Sequence, residues 1–159
     1  MITVPGQKLT YSPATEHVTV IVNTHSGVRR GQRVVEMLKN NPRNIPVAVF
    51  ETLPRSYDGH RAALEYAREH NSDRLIVCGG DGTLMETLTI MLNENYPVPI
   101  YVIPVGTGNV VASDLSVPRR IRPAIRQALQ PGVMRWWEAG QIAETGQCFV
   151  LRASAGHDA

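Results

Sequence analysis

Short, continuous apolar runs alternate with longer amphipathic stretches along most of the 159-residue chain. The runs are rich in valine and isoleucine and show little alternation, which is typical of strands that are buried on both faces of a sheet. They predict strands at residues 17–23, 45–51, 74–78 and 99–104.

The stretches between these runs repeat their apolar residues at the spacing of an amphipathic helix. They predict a helix after a polar loop at 24–27, and further helices at 56–70, 83–94 and 123–130. Strands that alternate with helices indicate a parallel sheet that is covered on both sides. We therefore expect an α/β fold.

The two ends of the chain do not continue this alternation. Residues 1–16 are polar and contain proline and glycine, so we expect a tail there. Strand-like stretches at 133–143 and 147–154 follow one another without a helix, as in a hairpin. The predicted organisation is therefore the tail, an α/β domain at 17–132, and an edge ribbon or the start of a second β-rich domain at 133–159.

Four loops leave the carboxyl ends of the predicted strands, at residues 23–27, 52–58, 79–83 and 104–109. The carboxyl ends of parallel strands lie at one edge of a sheet, and ligands of open α/β sheets bind there. We therefore expect these loops to meet and to form a binding site together.

The segment GGDGT at 79–83 connects a predicted strand to a predicted helix. Gly79, Gly80 and Gly82 permit a positive φ and allow a ligand to approach the main chain. Unpaired N–H groups at the start of the helix, near Thr83, favour a phosphate group. Asp81 fits such a site if it faces Mg²⁺, directly or through water, with the cation bridging to the phosphates. The alternative is a tight turn in which Asp81 caps the helix.

A second segment, PVGTGN at 104–109, has a similar composition at the end of the next strand. Gly106 and Gly108 leave the main chain accessible, Thr107 offers a hydroxyl group and Asn109 offers an amide. A turn with a helix cap is the alternative for this segment taken alone. Two such loops favour one polyphosphate between them. The sequence has no G-x-x-x-x-G-K-[ST] motif, and GTGNVV departs from the dinucleotide-binding pattern.

Composition narrows the classes of partner. The formal net charge of +2 and the lack of a compact basic run argue against nucleic acid. Cys78 and Cys148 lie far apart, and we expect reduced thiols, which is typical of a cytoplasmic protein. We recognise neither a signal peptide nor a membrane-spanning run, and peripheral contact with a membrane stays open. The segment PRRIRPAIR at 118–126 either contacts anionic lipid headgroups or is a solvated helix face.

Several segments resemble the catalytic-domain family of diacylglycerol kinases, which also includes sphingosine kinases, ceramide kinases and bacterial lipid kinases. The segments that carry this resemblance, in the family's order, are IVNTHSG, ETLPRSYDGHRAALEYA, IVCGGDGTLMETL, IPVGTGNVVASDLSVP and FVLRASAGHDA. GGDGT alone also occurs in NAD kinases and 6-phosphofructokinases, whereas its combination with PVGTGN and LSVP is specific to the lipid kinases. The resemblance runs from about residue 18 to the last residue.

The resemblance implies a Rossmann-like or flavodoxin-like, three-layer α/β domain that binds ATP and Mg²⁺ and phosphorylates a lipid hydroxyl at a membrane surface. Asp81 is the residue that it assigns to catalysis and to Mg²⁺. His60 matches the histidine of the family's Gly-His pair. The positions that match the family's nucleotide-binding residues are Asn23, Ser26, Thr52, Gly79, Gly80, Asp81, Gly82, Thr83, Glu86, Gly106, Thr107, Gly108 and Asn109.

Some family positions differ in this chain. Thr24 replaces a usual proline, and Met85 and Thr89 stand where asparagine is frequent. Val110 and Glu138 stand where aspartate is common. In the family, the aspartate at the position of Val110 is related to the side of the site that faces the lipid acceptor. Family members continue into a β-sandwich-like domain, which supplies the proposed general base, and FVLRASAGHDA resembles its beginning. We therefore expect nucleotide binding and little or no kinase turnover from this chain.

Two other functions stay open at this point. A soluble-substrate kinase of the NAD kinase type shares GGDGT, although the PVGTGN segment argues against it. A non-catalytic nucleotide-binding module is compatible with Met85, Thr89 and Val110 at their positions. A homodimer also stays open, and the sequence does not identify the lipid acceptor.

Overall fold

The computed structural model describes residues 9–11, 17–27, 30–130, 132–134 and 137–150. Its strands are β1 (Leu9–Tyr11), β2 (Val18–Val22), β3 (Val47–Glu51), β4 (Arg74–Gly79), β5 (Ile100–Pro104), β6 (Gly132–Met134), β7 (Gly140–Gln141) and β8 (Cys148–Phe149). Its helices are α1 (Arg30–Lys39), α2 (Asp58–Glu69), α3 (Asp81–Asn93), α4 (Val110–Asp114) and α5 (Ile121–Ala128).

A parallel sheet lies at the centre, with its strands in the order β3-β2-β4-β5. Val20 of β2 lies opposite Val49 of β3 on one side and opposite Ile76 of β4 on the other. The strands therefore have the order of a flavodoxin-like sheet, in which the chain changes direction across the sheet between β2 and β4. The carboxyl ends of these two strands form the topological switch point, where such sheets bind ligands.

The two central strands, β2 and β4, are the most completely buried strands of the sheet. Every residue of β2 and of β4 is buried, whereas four of the five residues of β3 are only partly buried and the last is exposed. A strand that is covered on both faces has no polar face, so its apolar residues follow one another without alternation. The switch point therefore lies at the ends of the two most deeply buried strands.

Helices cover both faces of the sheet. α1 contacts α5 on one face, and α2 contacts α3 on the other, as right-handed crossovers require for this strand order. α1 buries Val34 and Leu38, and α2 buries Ala63 and Ala67. Each pair is spaced four residues apart, so its members lie on the same face of their helix. The three layers confirm the α/β fold that the sequence predicts.

The ends of the chain form one pairing that local patterns did not indicate and one hairpin that they did. Residues 9–11, within the expected tail, form β1 and pair antiparallel with β6. β7 and β8 pair antiparallel as a hairpin. The strand-like stretch expected at 133–143 is therefore divided between two pairings. The rest of the expected tail and residues 151–159 lie outside the described residues.

The described helices have modest lengths, and the longest is α3 with 13 residues. Within the ranges that the structure describes, no helix is both long enough and apolar enough to cross a membrane.

Candidate functional site

The loops that follow β2, β4 and β5 meet at the carboxyl edge of the sheet and are joined by hydrogen bonds. Asn23 is the first of these links. Its Nδ2 donates to Oγ1 of Thr83 at 3.2 Å, which connects the loop after β2 to the first turn of α3. Its Oδ1 accepts the N–H groups of His25 at 3.0 Å and of Ser26 at 3.1 Å. Asn23 therefore shapes its own loop and fixes it to the switch point.

Gly27 ends the loop after β2 in a left-handed conformation, with φ at +57°. A Cβ atom at this position would lie 2.0 Å from the backbone oxygen of Val105. Only glycine combines this φ with such a close approach of two backbones. The loop after β2 is thus packed directly against the segment that follows β5.

The first glycine loop, residues 79–83, leads from β4 into α3. Gly80 is the N-cap residue of α3 and is extended, with φ −96° and ψ −172°. None of Gly79, Gly80 and Gly82 has a positive φ, so this loop does not use the left-handed conformation that glycine permits. Instead, these glycines matter because they have no Cβ atom, which leaves room beside the main chain. A Cβ on Gly79 would lie 2.5 Å from Cβ of Thr83, whereas a Cβ on Gly82 would have no atom within 4 Å.

Gly82 is therefore a glycine that packing within the chain does not explain. It lies in the first turn of α3, where alanine would favour the helix by up to about 1 kcal/mol. Gly80 is similar, because a Cβ there would lie 3.5 Å from Cα of Gly106, an ordinary contact distance. Both positions leave the main chain bare towards open space at the switch point.

Asp81 is the first residue of α3, two residues before the expected start of the helix. Its Oδ2 accepts the N–H group of Val110 at 2.9 Å, and its Oδ1 accepts that of Val111 at 3.2 Å. The carboxylate therefore caps α4, a helix 29 residues further along the chain. Gly80, the N-cap residue of α3, has no side chain to cap the helix, and among the described residues no other side chain does so. The N–H groups of its first turn therefore remain available to a ligand.

The second glycine loop, residues 104–109, packs against the first. A Cβ on Gly106 would lie 2.6 Å from Cα of Gly80, so the two backbones touch. Asn109 is left-handed, with φ 52°, and its Nδ2 donates to the backbone oxygen of Gly106. Its Oδ1 is buried and has no hydrogen-bond partner in the described part of the chain. Thr107 and Gly108 are exposed.

Three other positions predicted from the sequence lie around these loops. Ser26 is partly exposed, next to Asn23. Thr52 is only 5% exposed, and its N–H group donates to the backbone oxygen of Val22 at 2.9 Å. Glu86 lies one turn after Gly82 on α3, and its side chain is 49% exposed. The structure thus brings the predicted residues to one edge but encloses Thr52 within it.

His60 is a buried polar side chain directly behind this edge. It is 0% exposed, and its Nε2 lies 3.7 Å from Oε2 of Glu86. Neither ring nitrogen makes a hydrogen bond of ordinary geometry with the described residues. Burial lowers the pKa of His60, and the nearby backbone of Thr83 opposes this only in part. Burial also raises the pKa of Glu86. The ring is therefore held mainly in its neutral form.

The glycine loops offer one carboxylate, that of Asp81, to a magnesium ion. Among the described residues, no group of three or more His, Cys, Asp or Glu side chains is placed to hold a metal ion. Mg²⁺ in phosphate sites needs only one or two carboxylates, because phosphate oxygens and waters supply its other ligands. Each oxygen of Asp81 accepts one N–H group and keeps a further lone pair. The residues therefore fit Mg²⁺ together with a phosphate ligand.

The structure also has a cavity that the glycine loops do not line. It has a volume of about 220 Å³ and lies between α2, α3 and the β7–β8 hairpin. The hairpin is held on α3 by Thr89, whose Oγ1 accepts the N–H group of Cys148 at 2.9 Å. Thr89, which stands where the family often has asparagine, thus joins the hairpin to the helix that begins at the first glycine loop.

Sequence patterns missed three features of this site. They did not indicate that Asp81 binds the amides of Val110 and Val111, because hydrogen bonds between distant segments leave no local pattern. They did not indicate the left-handed conformation of Asn109, although asparagine tolerates it. The burial of His60 did have a signal, since it lies three residues before Ala63 on the buried face of α2.

Known proteins provide an independent comparison. Diacylglycerol kinase iota of Homo sapiens is 37% identical over 109 residues, which are 66% of this chain and 10% of that protein. Diacylglycerol kinase zeta of Rattus norvegicus is 35% identical over 111 residues, 67% of this chain and 11% of that protein. The crystal structure of a diacylglycerol kinase from Bacillus anthracis str. Sterne has a TM-score of 0.69 at 24% identity, covering 87% of this chain and 47% of that one.

The chain spans about a tenth of the length of these curated relatives and just under half of the bacterial structure. The structural match shows the same fold. The sequence profile of the diacylglycerol kinase catalytic domain matches residues 17–136, which include the whole central sheet and both glycine loops. This chain belongs to the diacylglycerol kinase catalytic domain family.

Proposed function

We propose that residues 17–132 are the nucleotide-binding part of an ATP-dependent lipid kinase, which transfers the γ-phosphoryl group of ATP to a lipid hydroxyl such as that of diacylglycerol. Membership of the diacylglycerol kinase catalytic domain family supports this proposal. So do the curated relatives, which are named as diacylglycerol kinases.

One observation carries the nucleotide part of the proposal. At the switch point, the uncapped N terminus of α3 lies beside Gly82, a glycine with open space around it. The first N–H groups of a helix and the positive end of its dipole favour an anion. A phosphate group of ATP would bind these N–H groups, and Gly80 and Gly82 would let it approach the main chain.

The other residues predicted from the sequence receive their roles from their positions. Gly106 and Gly108 belong to the second glycine loop, which we propose as the wall of the phosphate site. Thr107 and the unpartnered Oδ1 of Asn109 would supply polar contacts from this wall. Asn23, Ser26, Gly79 and Thr83 would shape the opposite wall, Glu86 would face the nucleotide from α3, and Thr52 would support the loops from within.

Asp81 is proposed to have two roles. Its bonds to Val110 and Val111 fix the carboxylate beside the phosphate site. The remaining lone pairs would hold Mg²⁺, directly or through water. The bound cation would neutralise charge on the phosphates. In the reaction, the lipid hydroxyl oxygen attacks the γ-phosphorus, the bond to the β–γ bridging oxygen breaks, and ADP leaves. The hydroxyl proton goes to a base that we do not assign among the described residues.

The organisation and location of the protein are part of the same proposal. Residues 133–159 would begin a second β-rich domain that contributes to the lipid site. The lipid acceptor would be presented at a membrane surface to a cytoplasmic protein with peripheral contact.

Calorimetric titration of the chain with ATP, with and without Mg²⁺, tests the proposal. We expect ATP to bind and its affinity to increase when Mg²⁺ is present. Absence of ATP binding to a chain that is folded by circular dichroism would overturn the nucleotide site. Titration with NAD is the control for the NAD kinase alternative, and tighter binding of NAD than of ATP would favour that function.

A further inference from the structure

A groove on the opposite side of the molecule from α2 and α3 has no role in the proposed nucleotide site. It lies between the last turn of α1, the segment that follows it, and α5, and it has a volume of about 620 Å³. That volume is within the range of known small-molecule sites, about 300–1,000 Å³. The residues that line it include Met37, Arg43, Arg122, Ile125, Arg126 and Leu129.

The floor of this α1–α5 groove is apolar. Ile125 and Leu129 are 6% and 3% exposed, four residues apart on the inner side of α5 and the residue that follows it. Met37 of α1 is partly buried against the core, and Pro42 is exposed at the rim. The surface left open inside the groove is mostly apolar, so a ligand that fills it would bring an apolar part.

The rim of the groove is basic. Arg122 and Arg126 lie one turn apart on α5, and both are exposed. Arg43 is fixed on the other side by a hydrogen bond of 2.6 Å from its Nη1 to the backbone oxygen of Leu129. Glu36 is the acidic residue among those that line the groove. Within the described part of the chain, none of the three arginines forms an ion pair.

The positions of Arg122 and Arg126 are electrostatically unfavourable when nothing is bound to them. Two arginines at i and i+4 on an exposed helix repel each other, whereas a glutamate at either position would attract the other residue. Guanidinium groups bind phosphate and carboxylate groups with two hydrogen bonds in one plane. An apolar floor with unpaired arginines above it is complementary to a molecule that has an anionic head and an apolar chain.

We propose that the α1–α5 groove binds an anionic phospholipid of a bilayer, with the headgroup held by Arg122 and Arg126 and part of an acyl chain on Met37, Ile125 and Leu129. The groove shares no residue with the two glycine loops. Binding in the groove therefore does not depend on the proposed nucleotide site. An experiment can disprove either proposal without disproving the other.

Sedimentation with lipid vesicles tests this proposal on the chain as it is. The vesicles contain phosphatidylcholine alone or phosphatidylcholine mixed with phosphatidate. We expect binding only to vesicles with phosphatidate, because each arginine near an anionic surface adds a favourable contribution. The double substitution Arg122→Gln/Arg126→Gln should weaken this binding by at least about tenfold, from the loss of two such contributions. Equal binding to neutral vesicles, or no binding to either kind, would overturn the proposal.

The chain offers a matched control two residues away. Arg119 and Arg120 are also exposed but do not line the groove. Arg119→Gln/Arg120→Gln removes the same charge, so we expect it to weaken binding much less than the change at Arg122 and Arg126. An equal loss from both pairs would show a diffuse basic surface and would overturn the groove.

A change in the floor tests the acyl chain separately from the headgroup. Met37→Gln keeps a side chain of similar length but makes it polar, and its fold is checked by thermal unfolding. We expect weaker binding to phosphatidate vesicles. Unchanged binding would overturn the role of the floor. Release of the protein from vesicles by inorganic phosphate would also contradict the proposal, because it would indicate a site for soluble anions.

Discussion

The two glycine loops have similar sequences but opposite arrangements of their main-chain N–H groups. The first loop starts α3, a helix of 13 residues that no side chain of the described residues caps. The second starts α4, a helix of five residues whose first N–H groups are bound by the carboxylate of Asp81. One loop thus presents free donors, and the other has its donors occupied by the first.

This difference assigns the two loops different parts in the proposed site. The glycines also differ, because Gly106 is crowded by the backbone of Gly80, whereas Gly82 faces open space. A glycine that is crowded by backbone serves packing, and a glycine that faces open space leaves room for a ligand. We infer that phosphate binds at the first loop and that the second loop is a wall that Asp81 holds in place.

Gly106→Ala is the strongest test of the contact between the loops. The added Cβ would lie 2.6 Å from Cα of Gly80, so one backbone must move. We expect a loss of unfolding free energy of up to about 3 kcal/mol, as in overpacked cores, together with loss of ATP binding. Urea unfolding and calorimetry measure the two effects. A variant that keeps both wild-type stability and wild-type affinity would show that the loops do not depend on each other.

Asp81→Ala removes the connection from the first loop to α4. Two N–H groups lose a charged acceptor, and we expect a loss of about 2 kcal/mol in unfolding free energy, since bonds to charged groups contribute roughly 1.5–3 kcal/mol. The dependence of ATP affinity on Mg²⁺ should disappear as well. If the stability falls but Mg²⁺ still strengthens ATP binding, Asp81 is a structural cap and not a magnesium ligand.

Asp81→Asn is the matched variant for this test. It keeps one oxygen acceptor but loses the charge. We expect a stability between those of the wild-type chain and Asp81→Ala, with the dependence on Mg²⁺ still lost.

His60 lies behind the first glycine loop, and its buried ring makes the stability of the fold depend on pH. Burial lowers its pKa from 6.5, so the unfolded chain binds the proton more readily than the folded chain. Stability should therefore be complete above about pH 6.5 and should fall as pH decreases through the lower folded value, by at most about 1.4 kcal/mol per pH unit. Glu86, whose pKa burial raises from 4.5, acts with the opposite sign and less strongly because its side chain is half exposed.

Urea unfolding at about pH 7 and about pH 5.5 measures this slope. His60→Gln should reduce it, whereas His25→Gln, which changes an exposed histidine of the loop after β2, should not. An equal slope in the wild-type chain and in His60→Gln would show that the buried ring does not control it.

Gly82→Ala should have the smallest effect on the fold. It tests whether Gly82 leaves room for a ligand or is needed for packing within the chain. A Cβ at this position meets no atom within 4 Å, and alanine favours a helix over glycine by up to about 1 kcal/mol. We expect unchanged or slightly higher thermal stability and weaker ATP binding. Unchanged ATP affinity would remove the argument that this glycine leaves room for a phosphate group.

The fold could be predicted largely from the sequence, because buried parallel strands and amphipathic helices each leave a local pattern. The runs at 74–78 and 99–104 lie within one residue of β4 and β5. The start of α3 was less clear, since a glycine-rich segment looks like a loop even where an aspartate begins the first turn. Asp81 is favourable there because an acidic group interacts well with the positive end of the helix dipole.

Pairings between distant residues could not be predicted in this way. β1 lies more than 120 residues from β6 along the chain, and nothing in its three residues specifies that partner. The contact of Gly80 with Gly106 is similar, because two glycines carry no pattern of their own. The sequence indicated that the loops after β2, β4 and β5 meet, but not which glycines fill the contact and which remain open.

The links between the loops have a kinetic consequence. Asn23 binds Thr83, Asp81 binds the start of α4, and two glycine backbones touch, so the chain's own contacts hold the loops together. A ligand that meets loops already in position loses less conformational entropy on binding. Association that needs no prior rearrangement is limited by encounter and orientation. We therefore expect nucleotide to associate in one bimolecular step, with an observed rate that rises in proportion to concentration and does not level off.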